Sequence, residues 1–202
     1  MKFAENQYLF SHPFATLTSA NWRKYPNEYS HHVLSVDTIS RDIDPKTGVL
    51  RSERLVSVKQ SAPALLRRLC PIIPEVTYFR EVSFLDVRRE RYTAISNNLT
   101  ARSIVDVEET CEFTATDHPD SPEGGTVFRQ RAAVSAMGAL SYVAKLVEEA
   151  AVSSFKANAW KGRLGLETVV DMVVEEAKEI EAGLKEGIEA SIEGLRKGSV
   201  GL

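Results

Sequence analysis

Near residue 139 the apolar pattern of this chain changes its prevailing period, from two residues to about 3.6. A period of two requires half-buried strands, and a period of 3.6 requires an amphipathic helix. Residues 126–136 alternate most cleanly, with Phe128, Ala132, Val134 and Ala136 on one face and Arg129, Arg131 and Ser135 on the other. Residues 105–113 repeat the pattern, setting Val105, Val107, Cys111 and Phe113 against Asp106, Glu108 and Glu112. Further strands are expected at 2–10, 33–42, 50–59, 78–87 and 91–100. Asp44-Pro45-Lys46-Thr47-Gly48 is a turn by its chemistry, because proline presets φ and glycine accepts φ > 0. Arg88-Arg89-Glu90 turns a second hairpin, and Asp117 to Gly125 forms a longer third loop. Consecutive hairpins imply an antiparallel meander that leaves one face for helices or solvent.

Two helical stretches accompany the strands. Ser11-His12-Pro13 is expected to cap a helix that runs through Trp22 and ends before Pro26. The second pattern, from about Ala139 to Lys197, would span roughly 85–90 Å as one helix. A compact domain of this length has a radius of gyration of only about 16–17 Å. One straight helix cannot lie wholly on such a body, so Gly162 and Gly165 are the points where it is expected to bend or stop. Beyond them Val170, Val173, Val174, Ala177, Ile180, Leu184, Ile188, Ile192 and Leu195 recur at three- and four-residue steps. The chain therefore divides into a body, residues 1–170, and an acidic amphipathic helical tail, residues 171–202. The fold class is α+β, about six or seven antiparallel strands wrapped on a long C-terminal helix. That arrangement either leaves a cavity between sheet and helix or packs the helix with none.

Charge and motif content narrow the function classes. A formal charge of -3 is too balanced to make nucleic acid the main partner. Residues 171–197 hold eight acidic and four basic side chains, and this Glu-rich face argues against a Lys/Arg-type membrane anchor. Cys70 and Cys111 lack C-x-x-C spacing and read as two buried thiols. The first residues carry no long apolar run, include Glu5 and have no arginine before Arg23, so neither a secretory signal nor a transit peptide is expected. His12, His31, His32 and His118 show no metal-ligand spacing and read as loop or strand-edge residues. No nucleophile elbow, P-loop or dinucleotide fingerprint occurs, so no enzyme is indicated and no cofactor is expected. Basic residues fall at Arg23-Lys24, Lys59, Arg67-Arg68, Lys161 and Arg163. They are either solvated surface charges or, if the fold brings them together, a phosphate-binding rim. The proline-bounded apolar stretch 62–74 is either a short helix covering a sheet edge or a lid that inserts at a lipid surface.

At Asn21-Trp22-Arg23-Lys24-Tyr25-Pro26-Asn27-Glu28-Tyr29-Ser30-His31-His32-Val33 the chain resembles the PRELI/MSF1 domain family. The similarity continues through Asp37-Thr38-Ile39 with Arg41, Ser52 to Gln60, Arg80-Glu81-Val82-Ser83, Asn98-Leu99-Thr100, Val107-Glu108-Glu109 and Asn158 to Gly165, covering about residues 1–170. Trp22, Glu28, Val58-Lys59-Gln60 and Lys161-Gly162 look more like its Slowmo branch. The resemblance implies a START-like helix-grip protein of the mitochondrial intermembrane space that carries single phospholipids between the outer and inner membranes. It also implies a small twin C-x9-C helical partner and transient contact with anionic membranes. The Slowmo branch is associated with phosphatidylserine and the PRELI branch with phosphatidic acid. The family's headgroup-binding cations correspond to Lys24, Lys59 and Lys161. Its lid loop corresponds to Pro63, Leu65, Leu66, Leu69, Ile72 and Ile73, with Arg67 and Arg68 as membrane contacts. Phe14 stands where many members have Trp, Ala64-Leu65 replaces Lys-Trp, and Glu148-Glu149-Ala150 replaces an acidic-Trp pair. Two other readings stand beside the carrier: an interaction protein acting through its tail, and an enzyme on the same scaffold.

Overall fold

The computed structural model describes residues 1–59, 74–136 and 141–198. Cys70 and the expected lid loop, with Pro63, Leu65, Leu66, Arg67, Arg68, Leu69, Ile72 and Ile73, lie outside them. The elements run β1 (Lys2–Phe10), α1 (Phe14–Trp22), β2 (Val33–Ile43), β3 (Leu50–Lys59), β4 (Val76–Asp86), β5 (Arg91–Asn98), β6 (Val105–His118), β7 (Ser121–Ala136) and α2 (Ser141–Gly198). The seven strands form one sheet in the order β1-β7-β6-β5-β4-β3-β2, every neighbouring pair antiparallel. The sheet wraps against the long C-terminal helix in the helix-grip arrangement.

Local chemistry explains the turns. Gly48 takes φ +73, and the Asp44 carboxylate accepts the Lys46 amide at 2.8 Å. At the second hairpin the Asp86 carboxylate accepts the Arg89 amide at 3.0 Å. The third hairpin is tighter than its sequence reads, since His118 pairs directly with Ser121 across Pro119-Asp120. The extra residues form a bulge between Thr116 and His118, where Pro122 has no amide to lose from the ladder and Gly124 takes φ +85. The α1 start also differs: Pro13, not Ser11, stands at the N-cap, and no side chain caps it.

The core lies on the concave face. Phe10, Tyr92, Ala94 and Phe113 of the sheet pack with Phe14, Leu17 and Ala20 of α1 and with Leu166, Val169 and Val170 of α2. An aromatic row crosses from β1 to α1 through Tyr8, Phe128, Phe113, Tyr92 and Trp22, with successive centroids 6.3, 4.8, 5.6 and 6.0 Å apart. Burying each large apolar side chain contributes about 1.5–3 kcal/mol, so this row anchors α1 to the sheet. The convex face carries ion pairs instead. Arg80 first and Arg51 second pull the Glu53 carboxyl down to about 2, and Arg91 and Arg131 flank Glu112.

The long helix neither stops nor divides at its glycines: α2 is continuous over 58 residues. Val173 and Val174 still pack on the core, and Glu176 holds a two-bond ion pair to Arg23 at 2.6 and 2.8 Å. Beyond that the helix leaves the body. Ile180, Leu184, Ile188 and Ile192 are 65%, 61%, 58% and 46% exposed, so none of these four is covered by the described residues.

Candidate functional site

The loop joining α1 to β2 carries the residues of interest, and its shape is fixed locally. The Asn27 side chain donates to the Lys24 carbonyl at 2.7 Å and accepts the Tyr29 amide at 2.9 Å, a side-chain substitute for a backbone turn. The His32 carbonyl accepts the Lys59 amide at 2.7 Å, tying the end of the loop to β3.

Gly162 and Gly165 let α2 approach this loop. A Cβ on Gly162 would lie 3.3 Å from the Lys24 ammonium, and one on Gly165 would lie 2.8 Å from Asn27 Oδ1. They are contact points of the helix, not bends. Alanine favours a helix over glycine by about 1 kcal/mol. At Gly165 overpacking against the Asn27 amide, at about 1–3 kcal/mol, should outweigh that gain, for a net loss of up to about 2 kcal/mol. Gly183 has no neighbour within 4 Å, so Gly183→Ala should favour the tail helix locally by about 1 kcal/mol with no overpacking of the body. The thermal melt of Gly165→Ala should therefore fall while that of Gly183→Ala, in the exposed tail, stays close to wild type, and an increase for Gly165→Ala would refute the packing role.

The geometry gathers two of the three sequence-predicted lysines. Burial alone would push the half-buried Lys24 ammonium down, but the acidic groups around it, of which the Glu109 carboxylate is the one charged at neutral pH, hold it above its ordinary value. His32 is pushed down by burial and then by Lys161, Lys24 and His31, so both lysines act on one imidazole. Lys59 neighbours His32 through its backbone, while its ammonium pairs with Glu75 at 3.2 Å. Arg23 pairs with Glu176 and Arg163 with Glu167, which leaves Lys24 and Lys161 without a salt bridge among the described residues. Because the fold lowers the His32 value, the unfolded chain binds more protons just below about pH 6.5, and stability falls as pH drops through the folded value. An NMR titration should find His32 protonating below about 6.5 and moving upward in Lys24→Met and in Lys161→Met. An unmoved midpoint in both variants would separate the lysines from the imidazole.

Behind Lys24 the concave face is polar. Glu109 Oε1 accepts hydrogen bonds from Gln130 and, at 3.4 Å, from Cys111. Burial, followed by Glu109, pushes the half-buried Cys111 thiol well up, so it stays protonated. Further along, Arg54 donates twice to Glu81 Oε1, at 2.9 and 2.6 Å, and lies 5.0 Å over the Trp22 ring. The hydroxyls of Ser52, Ser83 and Tyr92 are sealed without a hydrogen bond among the described residues. A hollow of about 100 Å³ is lined by Trp22, Tyr25, Val36, Thr38, Arg41 and Arg54. Its volume is well below the ~300–1,000 Å³ of small-molecule sites. A larger hollow of about 290 Å³ lies between hairpin turns at Lys46, Thr47, Asp86, Arg88 and Arg89, away from this chemistry.

The sequence reading gave Glu109 and His32 no site role, the first standing only within the Val107-Glu108-Glu109 motif and the second reading as a loop or strand-edge residue. Glu109 shares its strand face with Val107, Cys111 and Phe113, so an acid in an otherwise inward series was a readable signal. His32 gave none, because its neighbours come from distant parts of the chain. Among the described residues no group of three or more His, Cys, Asp or Glu is placed to hold a metal ion, and no helix is long and apolar enough to cross a membrane.

Comparison with known proteins adds independent findings. The profile of the PRELI-like family matches residues 15–177. The chain is 36% identical over 175 residues to the mitochondrial protein UPS2 of Saccharomyces cerevisiae, covering 87% of this chain and 75% of that one. It is 34% identical to the UPS-like protein C36.10 of Schizosaccharomyces pombe, covering 86% and 91%. It is 32% identical to the slowmo homolog of Dictyostelium discoideum, covering 88% and 75%. Among solved structures, the Zhui aromatase/cyclase of a Streptomyces species superposes with a TM-score of 0.51 over 87% of this chain and 95% of that one. At 12% identity that likeness establishes a shared fold alone.

Proposed function

The chain belongs to the PRELI-like family, and on that premise we propose that it carries single glycerophospholipids, phosphatidylserine foremost, between the outer and inner membranes in the mitochondrial intermembrane space. Phosphatidic acid is the alternative cargo. The observation that supports this reading is the meeting of Lys24 and Lys161 at His32, where α2 closes on the loop after α1. A phosphate leaving water needs cationic partners, because burying an unpaired charge costs far more than any contact regains.

The physics of the task explains why binding and release suffice. Each methylene moved from membrane to water costs about 0.8 kcal/mol, so spontaneous desorption of two long acyl chains is very slow. A protein that shelters the chains and pairs the phosphate lowers that barrier with no covalent step. The proposed complex includes a small twin C-x9-C helical partner. The test is transfer of labelled phosphatidylserine and phosphatidic acid between liposomes, by the chain alone and with that partner. Transfer of at least one lipid is expected, and its complete absence under both conditions would overturn the proposal. Equal half-life of the chain with and without the partner would remove the partner from it.

The uncovered stripe on the tail favours a second role in protein interaction. Beyond Glu176 the described tail side chains are exposed, so removal of residues 178–202 should leave the melting temperature and lipid transfer close to wild type. A collapse of either would show that the tail completes the body.

A further inference from the structure

The Glu109 carboxylate is out of place in a site that holds only a phosphate. It stands on β6 opposite Ser96 of β5 and Ala132 of β7, on the same face as the buried Phe113. Gln130 and Cys111 both donate to its Oε1 and fix its direction. Its Oε2 makes no hydrogen bond or ion pair among the described residues, and the residue is only partly buried. Lys24 lies within electrostatic reach, yet no salt bridge joins the two.

A carboxylate beside phosphate-binding cations repels the phosphate and offsets part of their attraction. A site for a bare phosphomonoester gains nothing from it. A headgroup that carries an ammonium beyond its phosphate turns the same carboxylate into a partner, through a charge-assisted hydrogen bond. We propose that Glu109 Oε2 accepts the ammonium of an amino-phospholipid whose phosphate lies at Lys24, which makes Glu109 the residue that separates amino-phospholipids from phosphatidic acid. This rests on the phospholipid-carrier reading and names the feature that sets its selectivity. Glu81 is a poorer choice for the role, since Arg54 already compensates its charge.

The test compares wild type with Glu109→Gln, which keeps size and removes charge. Donor liposomes of phosphatidylcholine would carry phosphatidylserine, phosphatidylethanolamine or phosphatidic acid. Glu109→Gln should slow transfer of both amino-lipids by about tenfold or more, while phosphatidic acid moves as fast as before or faster. Equal losses for all three lipids would make Glu109 a structural residue, and no change would also overturn the inference. A second measurement removes the charge from the lipid and leaves the protein intact. Wild type should move phosphatidylserine at least about tenfold faster than its N-acetylated form; equal rates would overturn the assignment even if Glu109→Gln folds poorly. A wild type that transfers no lipid at all would instead sink the carrier reading.

Discussion

Replacing Lys24 or Lys161 by alanine is expected to slow liposome-to-liposome phospholipid transfer by about tenfold or more in each case. A hydrogen bond to a charged group is worth roughly 1.5–3 kcal/mol, which sets that scale. The two positions are joined in space, because the Lys24 ammonium rests against Gly162, the residue after Lys161, and both lysines act on His32. If they hold one phosphate, the double variant should depart from the sum of the singles. Melting temperatures should barely move, since neither lysine forms a salt bridge among the described residues. Wild-type transfer by both singles and the double would refute the site, and loss of folding would make the lysines structural.

Arg54→Ala should have the largest effect on stability. Arg54 is 5% exposed, its guanidinium makes two bonds to Glu81, and it stacks over Trp22. Its removal leaves a half-buried carboxylate without a cation, and breaking such a pair from one side costs about 3–5 kcal/mol. A chain of this length loses roughly 2–4 °C of melting temperature per kcal/mol, so a fall of roughly 6–20 °C is expected. Replacing both partners by methionine should recover most of it, because no buried charge then remains unpaired. A double variant as unstable as the single would mean that packing on Trp22, not the charge, holds this corner.

Much of the fold was legible because its local rules agree with one another. The strands at 2–10 and 50–59 match β1 and β3 end to end, since alternation and turn chemistry mark the same boundaries. The hairpin after β6 was not legible, because Asp117 to Gly125 reads as loop and only the pairing of His118 with Ser121 reveals a bulged continuation. Gly162 and Gly165 misled for a physical reason. Glycine marks both flexible backbone and close approach, and sequence alone does not distinguish them. The site was less legible than the fold. Residue spacing says nothing about Lys24 meeting Lys161, and only the family resemblance pointed to the pair. Arg23 and Arg163, equally basic on paper, turn out to face Glu176 and Glu167.

The sheet order also governs when the site can exist during folding. Strands β2 to β7 follow one another across the sheet in sequence order, so each pairs with the strand before it. By contrast β1 must find β7, with Lys2 facing Val134 and Phe10 facing Thr126. Closing so long a loop carries the larger entropic cost, and pairings of that range are the slow part of folding. The loop bearing Lys24 hangs between β1 and β2, while Lys161 arrives on the helix that follows β7. During synthesis the first cation must therefore wait for the last third of the chain to leave the ribosome before the second can join it.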